Sequence, residues 1–248
     1  MTANQTRLFF GRPIPLDEKI SIIQPKLGQI IDMGDRYDNY LLPYTITLDT
    51  IFDDTSVIGD LTLFELFFEK FDDETYVLQG AFNNNPIELL SESITFFTGQ
   101  EVKILENRKK VIIGDSYILD KVNYEHFRKI IQAVSTRKDL VVEKMPKGLS
   151  ERRKDIWLKI QEGRRRKAQR ESLGLEDIAN VICFGGSSYI SLDEIMNMTY
   201  YQFFNAYKSI LGKDSYFIAL QYKVSQKYEY KEELAHWSKD MKIKSDLD

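Results

Sequence analysis

Two histidines, one cysteine, two acidic clusters, a Gly-Gly-Ser-Ser stretch and a run of four cations are the residues of this chain whose types and spacing could do chemistry. Histidine is the commonest general acid or base because its pKa lies near neutrality. His126 and His236 sit far apart in sequence and in no catalytic motif, His126 beside a helical apolar stripe and His236 beside Trp237. A surface or packing role is expected for both. Cys183 lies between Val181-Ile182 and Phe184, the setting of a buried small hydrophobe rather than of an activated thiolate, and a lone cysteine leaves no internal disulfide.

Asp53-Asp54 and Asp72-Asp73-Glu74 are paired carboxylates of the kind that hold magnesium or calcium, but the interleaved ligand pattern of a calcium loop is missing. They read as solvated turns or helix ends. Thiolate and imidazole ligands at zinc spacing are also missing. Gly185-Gly186-Ser187-Ser188 lacks the Lys-Ser/Thr that completes a phosphate-binding loop, and neither a dinucleotide fingerprint nor a Gly-x-Ser-x-Gly elbow occurs. These misses agree on a non-catalytic protein with no cofactor and no metal.

Arg164, Arg165, Arg166 and Lys167 form the strongest local charge signal. Residues 137–170 hold thirteen Lys or Arg against five Asp or Glu, while the chain as a whole carries −4, so the rest is strongly acidic. Four consecutive cations on a helix spread around its circumference. The run is therefore read first as a solvated connector or an internal contact with the acidic lobes, with nucleic acid and an acidic protein as alternative partners. Nucleic acid is not the partner expected first.

The elements that would position these groups follow from periodicity. A hydrophobic share of 43% and a charged share of 29% are those of a packed globular protein. No window approaches the ~20 apolar residues of a membrane span, and the opening Met1 to Gln5 has no charged leader and apolar run, so no secretory signal is expected. A strand is expected over residues 19–23, stopped by Pro25; helices are expected from Leu27 to Gly34 and from Asp35 toward Phe52, with Pro43 interrupting or beginning a turn. Thr62 caps a helix whose Phe64, Phe67, Phe68 and Phe71 share one face. After the Asn83-Asn84-Asn85-Pro86 turn comes a helix over 87–97, closed by Gly99.

From Glu101 the period changes to short β-like runs at Val102/Ile104, Val111 to Ile113 and Tyr117/Leu119, broken at Asn107-Arg108 and Gly114-Asp115, which reads as a hairpin or three-stranded meander. A helix with Tyr124, Phe127, Ile131 and Val134 as its core stripe ends near Thr136. Ser150 caps a basic helix over 151–170 that has few apolar residues. Beyond Gly174, a helix carries Leu175, Ile178, Ala179 and Ile182 on one face, Ser191 caps a short segment, and Thr199 caps a helix stopped by Gly212. A further helix is expected from Asp214 to about Tyr222.

The fold class expected is mainly α with a small β hairpin or meander (α+β) in the N-terminal lobe, and an all-α C-terminal lobe. The division expected is an acidic lobe at 1–136, a basic helical connector at 137–172 and a small helical module at 173–248.

Two stretches resemble a known group. Pro15-Leu16, the run from Ile20 to Gly34, Tyr37 and Tyr40-Leu41 resemble the start of proteins encoded among the tail genes of phages infecting Gram-positive bacteria, similar to tail assembly chaperones. Leu192 to Phe204 and Trp237 look like the C-terminal module of the same group. The resemblance implies a protein that keeps the tape-measure protein soluble before the tail tube closes around it, often made in a short and a frameshifted longer form, in the cytoplasm of the infected host cell. It offers no catalytic residues.

A chaperone of this kind presents apolar surface to a long amphipathic client. Phe64, Phe67 and Phe68 are candidates for that surface, with core burial as the alternative; Tyr201 and Gln202 stand off the core stripe, and Trp237 completes the set. A virion structural component, in the baseplate or in tail completion, is the competing reading, as is a regulator binding nucleic acid through the basic helix. Self-association is compatible with each.

Overall fold

The computed structural model describes residues 3–52, 59–69, 85–141, 143–146 and 148–225. The chain opens with helix α1 (Ala3–Phe9) and a two-residue antiparallel ladder of β1 (Ile14–Pro15) with β2 (Ser21–Ile22), in which Ile14 faces Ile22. The strand expected over 19–23 is thus shorter. Asp17 Oδ1 accepts from the amides of Lys19 and Ile20 at 2.8 and 2.6 Å, an Asx-type turn that occupies those backbone groups before the ladder begins. Buried Gln24 then ties this hairpin to α1, its Nε2 donating to the Arg7 and Arg12 carbonyls at 3.0 and 2.8 Å.

Helices α2 (Leu27–Met33) and α3 (Asp35–Thr45) meet at Gly34, whose φ of +56° favours glycine. The helix expected to run toward Phe52 instead breaks at Ile46, and Thr47 caps a separate α4 (Leu48–Ile51) by accepting from the Thr50 amide. Pro43 sits in the last turn of α3, so its missing donor removes one ladder bond just where the helix ends. The Thr62 cap is present as a capping box with Glu65, but its helix α5 is a single turn (Leu63–Leu66). Phe71 lies outside the described residues.

Helix α6 (Pro86–Thr98) starts on an Asn85 cap with Pro86 at its first position and ends on Gly99 in the left-handed conformation at φ +67°. The meander follows in the order β3 (Val102–Leu105), β4 (Lys110–Ile113), β5 (Tyr117–Leu119), with Val102 opposite Ile113 and Val111 opposite Leu119. Helix α7 (Tyr124–Val134) closes this part with the expected stripe, since Tyr124, Phe127, Ile131 and Val134 are all buried. The mixed α+β N-terminal part and helical C-terminal part are therefore as the periodicity indicates.

The core sits where α3, α6, α7 and the sheet converge on Tyr44, whose ring lies 6.0 Å from Phe97 and 5.8 Å from Phe127. The buried hydroxyls of Ser93, Tyr44 and Tyr124 are partnered, as low polarity demands, whereas that of Tyr37 has no hydrogen-bond partner among the described residues. Ser93 Oγ donates to the Tyr40 carbonyl at 2.8 Å and lies 3.0 Å from the Tyr44 hydroxyl; the Tyr124 hydroxyl donates to the Pro43 carbonyl at 2.7 Å. Burial pushes the Tyr44 and Tyr124 phenols well above their usual value.

Residues 137–146 strap this body. Leu140 exchanges hydrogen bonds with Thr45 and Thr50, Lys144 Nζ donates to the Phe52 carbonyl at 2.7 Å, and Arg137 meets Asp38 at 2.8 Å. Arg128, buried on α7, joins the strap to the end of α3: its Nη2 donates to Asp139 at 2.6 Å and to the Ile46 carbonyl at 2.9 Å.

Helix α8 (Glu151–Glu171) comes next, then α9 (Leu175–Phe184), α10 (Leu192–Asn197) and α11 (Tyr200–Val224). Cys183 is buried in α9. These last three helices share the core of the N-terminal part. Leu27 and Tyr200 donate backbone bonds to Met198 and Pro25, at 2.9 and 3.2 Å, and the rings of Tyr37 and Tyr200 lie 5.8 Å apart. Gly28 allows α2 and α10 to approach, because a Cβ there would lie 3.3 Å from the Met196 carbonyl oxygen.

Candidate functional site

Two helices leave this body, and they carry the surfaces that can meet a partner. Helix α11 is rooted by its N-terminus. Thr199 and Gln202 form a capping box, with Thr199 Oγ1 accepting from the Gln202 amide at 3.2 Å and Gln202 Oε1 accepting from the Thr199 amide at 2.9 Å. Gln202 Nε2 reaches across to the Phe9 carbonyl at 3.1 Å. Tyr200 and Phe203 are buried, and Phe204, Tyr207 and Ile210 pack against the core from its edge.

Beyond Ile210 the helix still meets the body at Lys213, whose Nζ donates to Ser187 Oγ at 3.2 Å, and most of its large apolar side chains are exposed. It passes through Gly212 without a break, where the periodicity predicted a stop, and absorbs the separate helix expected from Asp214. A glycine inside a helix costs about 1 kcal/mol relative to alanine, less than the bonds of a continuous ladder return. Leu211, Phe217, Ile218, Leu220, Tyr222 and Val224 are all exposed, Val224 at 74%. At 3.6 residues per turn they fall on two faces of the helix, Leu211, Ile218 and Tyr222 on one and Phe217, Leu220 and Val224 on the other, and exposed apolar groups of this kind mark interaction sites.

Helix α8 is different. None of its described side chains is buried, and it is tied to the strap at Glu143, whose Oε2 accepts from Gln161 Nε2 at 2.7 Å and from Arg164 Nη1 at 2.8 Å. Those two donors hold the Glu143 carboxyl below its usual value, Gln161 foremost. Both partners of the Arg164–Glu143 pair are largely exposed, so this tether is worth ~0–1 kcal/mol. An open groove of about 520 Å³ runs between helix and strap, lined by Glu143, Trp157, Gln161, Glu162 and Arg165.

Several expected partner-binding residues are placed elsewhere. Phe64 and Phe67 are 1% and 2% exposed and belong to the core, which corrects their assignment as client contacts: Phe64 stacks on Tyr124 at 4.9 Å, and α5 is too short to present a separate face. Phe68 is half-buried beside Phe64 at 5.3 Å. Tyr201 is half-buried, which raises its phenol pKa. Gln202 is spent on the cap and on Phe9, so it is a positioning residue of α11. Trp237 lies outside the described residues. Arg164, Arg165, Arg166 and Lys167 are exposed on α8.

Of the groups weighed for chemistry, His126 lies on the surface of α7 and Ser187 accepts from Lys213 Nζ at 3.2 Å. His236 and both acidic clusters lie outside the described residues. Among the described residues, no three His, Cys, Asp or Glu side chains gather as a metal site, and no helix is long and apolar enough to cross a membrane.

Residues 166–242 match the family model of the YomV second domain. The similarity is to a phage-derived domain, and it takes in the end of α8 and all of α9, α10 and α11. It includes Leu192 to Phe204, the C-terminal of the two stretches that resemble tail-gene products; the stretch from Pro15 to Leu41 lies outside it. No curated protein and no solved structure matches the chain.

Proposed function

We propose that this is a non-catalytic protein of phage tail morphogenesis, an assembly chaperone whose client is the tape-measure protein. The observation that carries the reading is the set of exposed apolar side chains, Leu211, Phe217, Ile218, Leu220 and Val224, on the outer half of α11. A rooted helix that exposes apolar side chains on its outer turns offers a long amphipathic client a helix-on-helix seat without unfolding the body. The similarity of this part of the chain to a phage-derived domain supports the setting, and the resemblance of Leu192 to Phe204 to tail-gene products supports the role. The charged body around these side chains keeps the complex soluble.

The test is co-expression with the tape-measure protein encoded in the same tail gene cluster, reading the client's soluble fraction. The parent chain raises that fraction, and Phe217→Ser/Ile218→Ser/Val224→Ser abolishes the gain while its own circular dichroism and melting temperature stay close to the parent's. A client equally soluble with and without the chain overturns the chaperone reading. Recovery of the chain in purified particles, in fixed ratio to tail proteins, moves it to the virion structural class.

A further inference from the structure

The run from Arg164 to Lys167 belongs to two different faces of α8, and the outward one extends along most of the helix. At 3.6 residues per turn, Arg152, Lys159, Arg166, Lys167 and Arg170 fall in one sector, recurring at i, i+7, i+14, i+15 and i+18. At 1.5 Å per residue this stripe is about 27 Å long. The carboxylates Glu151, Asp155 and Glu162 share a neighbouring sector, from which Glu162 pairs with Arg166 at 2.6 Å, and Glu171 borders the other edge, so the stripe carries five cations with carboxylates only along its margins. Gln161 and Arg164, which hold Glu143, point out of the other side, and Arg165 turns into the groove beside the strap.

Gly163 interrupts the stripe with a hollow of about 430 Å³ bordered by Arg166, Lys167 and Arg170. A Cβ at this glycine would have nothing within 4 Å. The helix carries nine cations against four carboxylates, so α8 holds +5 of a chain whose total is −4, leaving −9 for the rest. A cationic helix could neutralise itself on such a body. The body meets it at Glu143 on one side, and the side chains of Arg152, Lys159, Arg166, Lys167 and Arg170 are exposed.

The chemistry of the stripe separates the polyanions that could use it. Protein interfaces deplete charged residues at their centre and are anchored by aromatic or aliphatic side chains, whereas the stripe offers Ile156 and otherwise cations. Nucleic-acid interfaces are far more positive, and arginine presents a fork of donors that matches phosphate oxygens. A helix of this diameter fits the major groove of a duplex, with cations reaching the flanking phosphates.

We infer that the outward face of α8 binds the phosphate backbone of double-stranded nucleic acid, through Arg152, Lys159, Arg166, Lys167 and Arg170. The interaction is independent of sequence, because the cations reach phosphates and carry no base readout. The acidic body repels the same polyanion and confines it to this face.

The test is fluorescence anisotropy of a labelled DNA duplex of about 20 base pairs titrated with the full chain at about 50 and about 200 mM salt. Four or five phosphate contacts predict a loss of affinity on the order of 10²-fold between those salts. Two double variants with the same change of net charge then locate the site. Lys159→Glu/Arg166→Glu, on the stripe, lowers affinity more than tenfold, and Lys154→Glu/Arg165→Glu, off it, changes affinity less than threefold, with equal helicity by circular dichroism. No binding at about 100 µM protein in the lower salt, or equal losses in both variants, overturns the inference. Binding of poly-glutamate in place of DNA overturns it in favour of an acidic protein.

Discussion

Helices α8 and α11 are of similar length, 21 and 25 residues, and both leave the body, yet they are stable for different reasons. α11 is held by a few residues at one end: the Thr199–Gln202 cap, buried Tyr200 and Phe203, and the edge packing of Phe204, Tyr207 and Ile210. Its outer half continues a ladder that the rooted half has nucleated. α8 has no such root. It depends on the propensities of Arg, Lys, Glu and Gln and on pairs such as Glu162–Arg166 and Glu151–Lys154, which together make an isolated helix only marginal in water. The contrast shows how one chain can present an apolar surface and a cationic one without either collapsing onto its core.

The largest expected effect sits at the root of α11. Phe203→Ala removes a fully buried ring and costs about 3–5 kcal/mol of unfolding free energy, whereas Ile160→Ala, half-exposed on α8, costs less than about 1 kcal/mol. Urea denaturation of both variants measures the pair, and equal losses would break the contrast. Next comes Arg128→Met, which cuts the bonds from α7 to Ile46 and Asp139. A loss of about 2 kcal/mol is expected, together with faster limited proteolysis between Met145 and Gly148, where the strap leads into α8. Unchanged cleavage would show that the strap's other bonds, at Arg137, Asp139, Leu140 and Lys144, are enough to hold it.

A smaller effect of opposite sign tests continuity. Gly212→Ala stabilises by about 0.5–1 kcal/mol if α11 is one helix, read as a rise in melting temperature; a drop would mean that Gly212 ends the helix after all. The smallest effect is one that acid removes. Backbone bonding at Thr62, then Lys121, holds the Glu65 carboxyl down at about 2, against an ordinary 4.5. Because the folded value is the lower one, Glu65 contributes stability that is present above about 4.5 and disappears as pH falls toward 2. Glu65→Gln is therefore less stable than the parent at neutral pH, and the two converge near pH 2. Equal stability at all pH values would remove the Glu65 capping box from α5.

Much of the fold was legible because its signals are local. Asn85-Pro86 and Gly99 bracket α6, the Asn107-Arg108 and Gly114-Asp115 breaks separate the three strands, and Ser191 and Thr199 cap α10 and α11 within a turn of where they stand in sequence. The surfaces were harder to read. Phe64 and Phe67 have the spacing of an amphipathic helix whether that face meets a client or Tyr124, and periodicity carries no information about which. The cationic run was visible as a charge excess, while its split into two faces needed Glu143, eighteen residues upstream of Gln161, to define which side of α8 faces the body.

The sequence by itself determined the α+β character of the N-terminal part, the helical C-terminal part, the buried Cys183 and the basic segment, since each follows from residue type and from spacing within a few turns. Only the tertiary structure decided that α9, α10 and α11 share a core with α2 and α3, that Gly212 lies inside a helix, and that α8 stands clear. Those outcomes depend on what a residue meets from far along the chain: Lys26 paired with Thr199, Phe9 with Gln202, Tyr37 with Tyr200. Burial is a property of such pairs, and no single stretch of sequence contains both members.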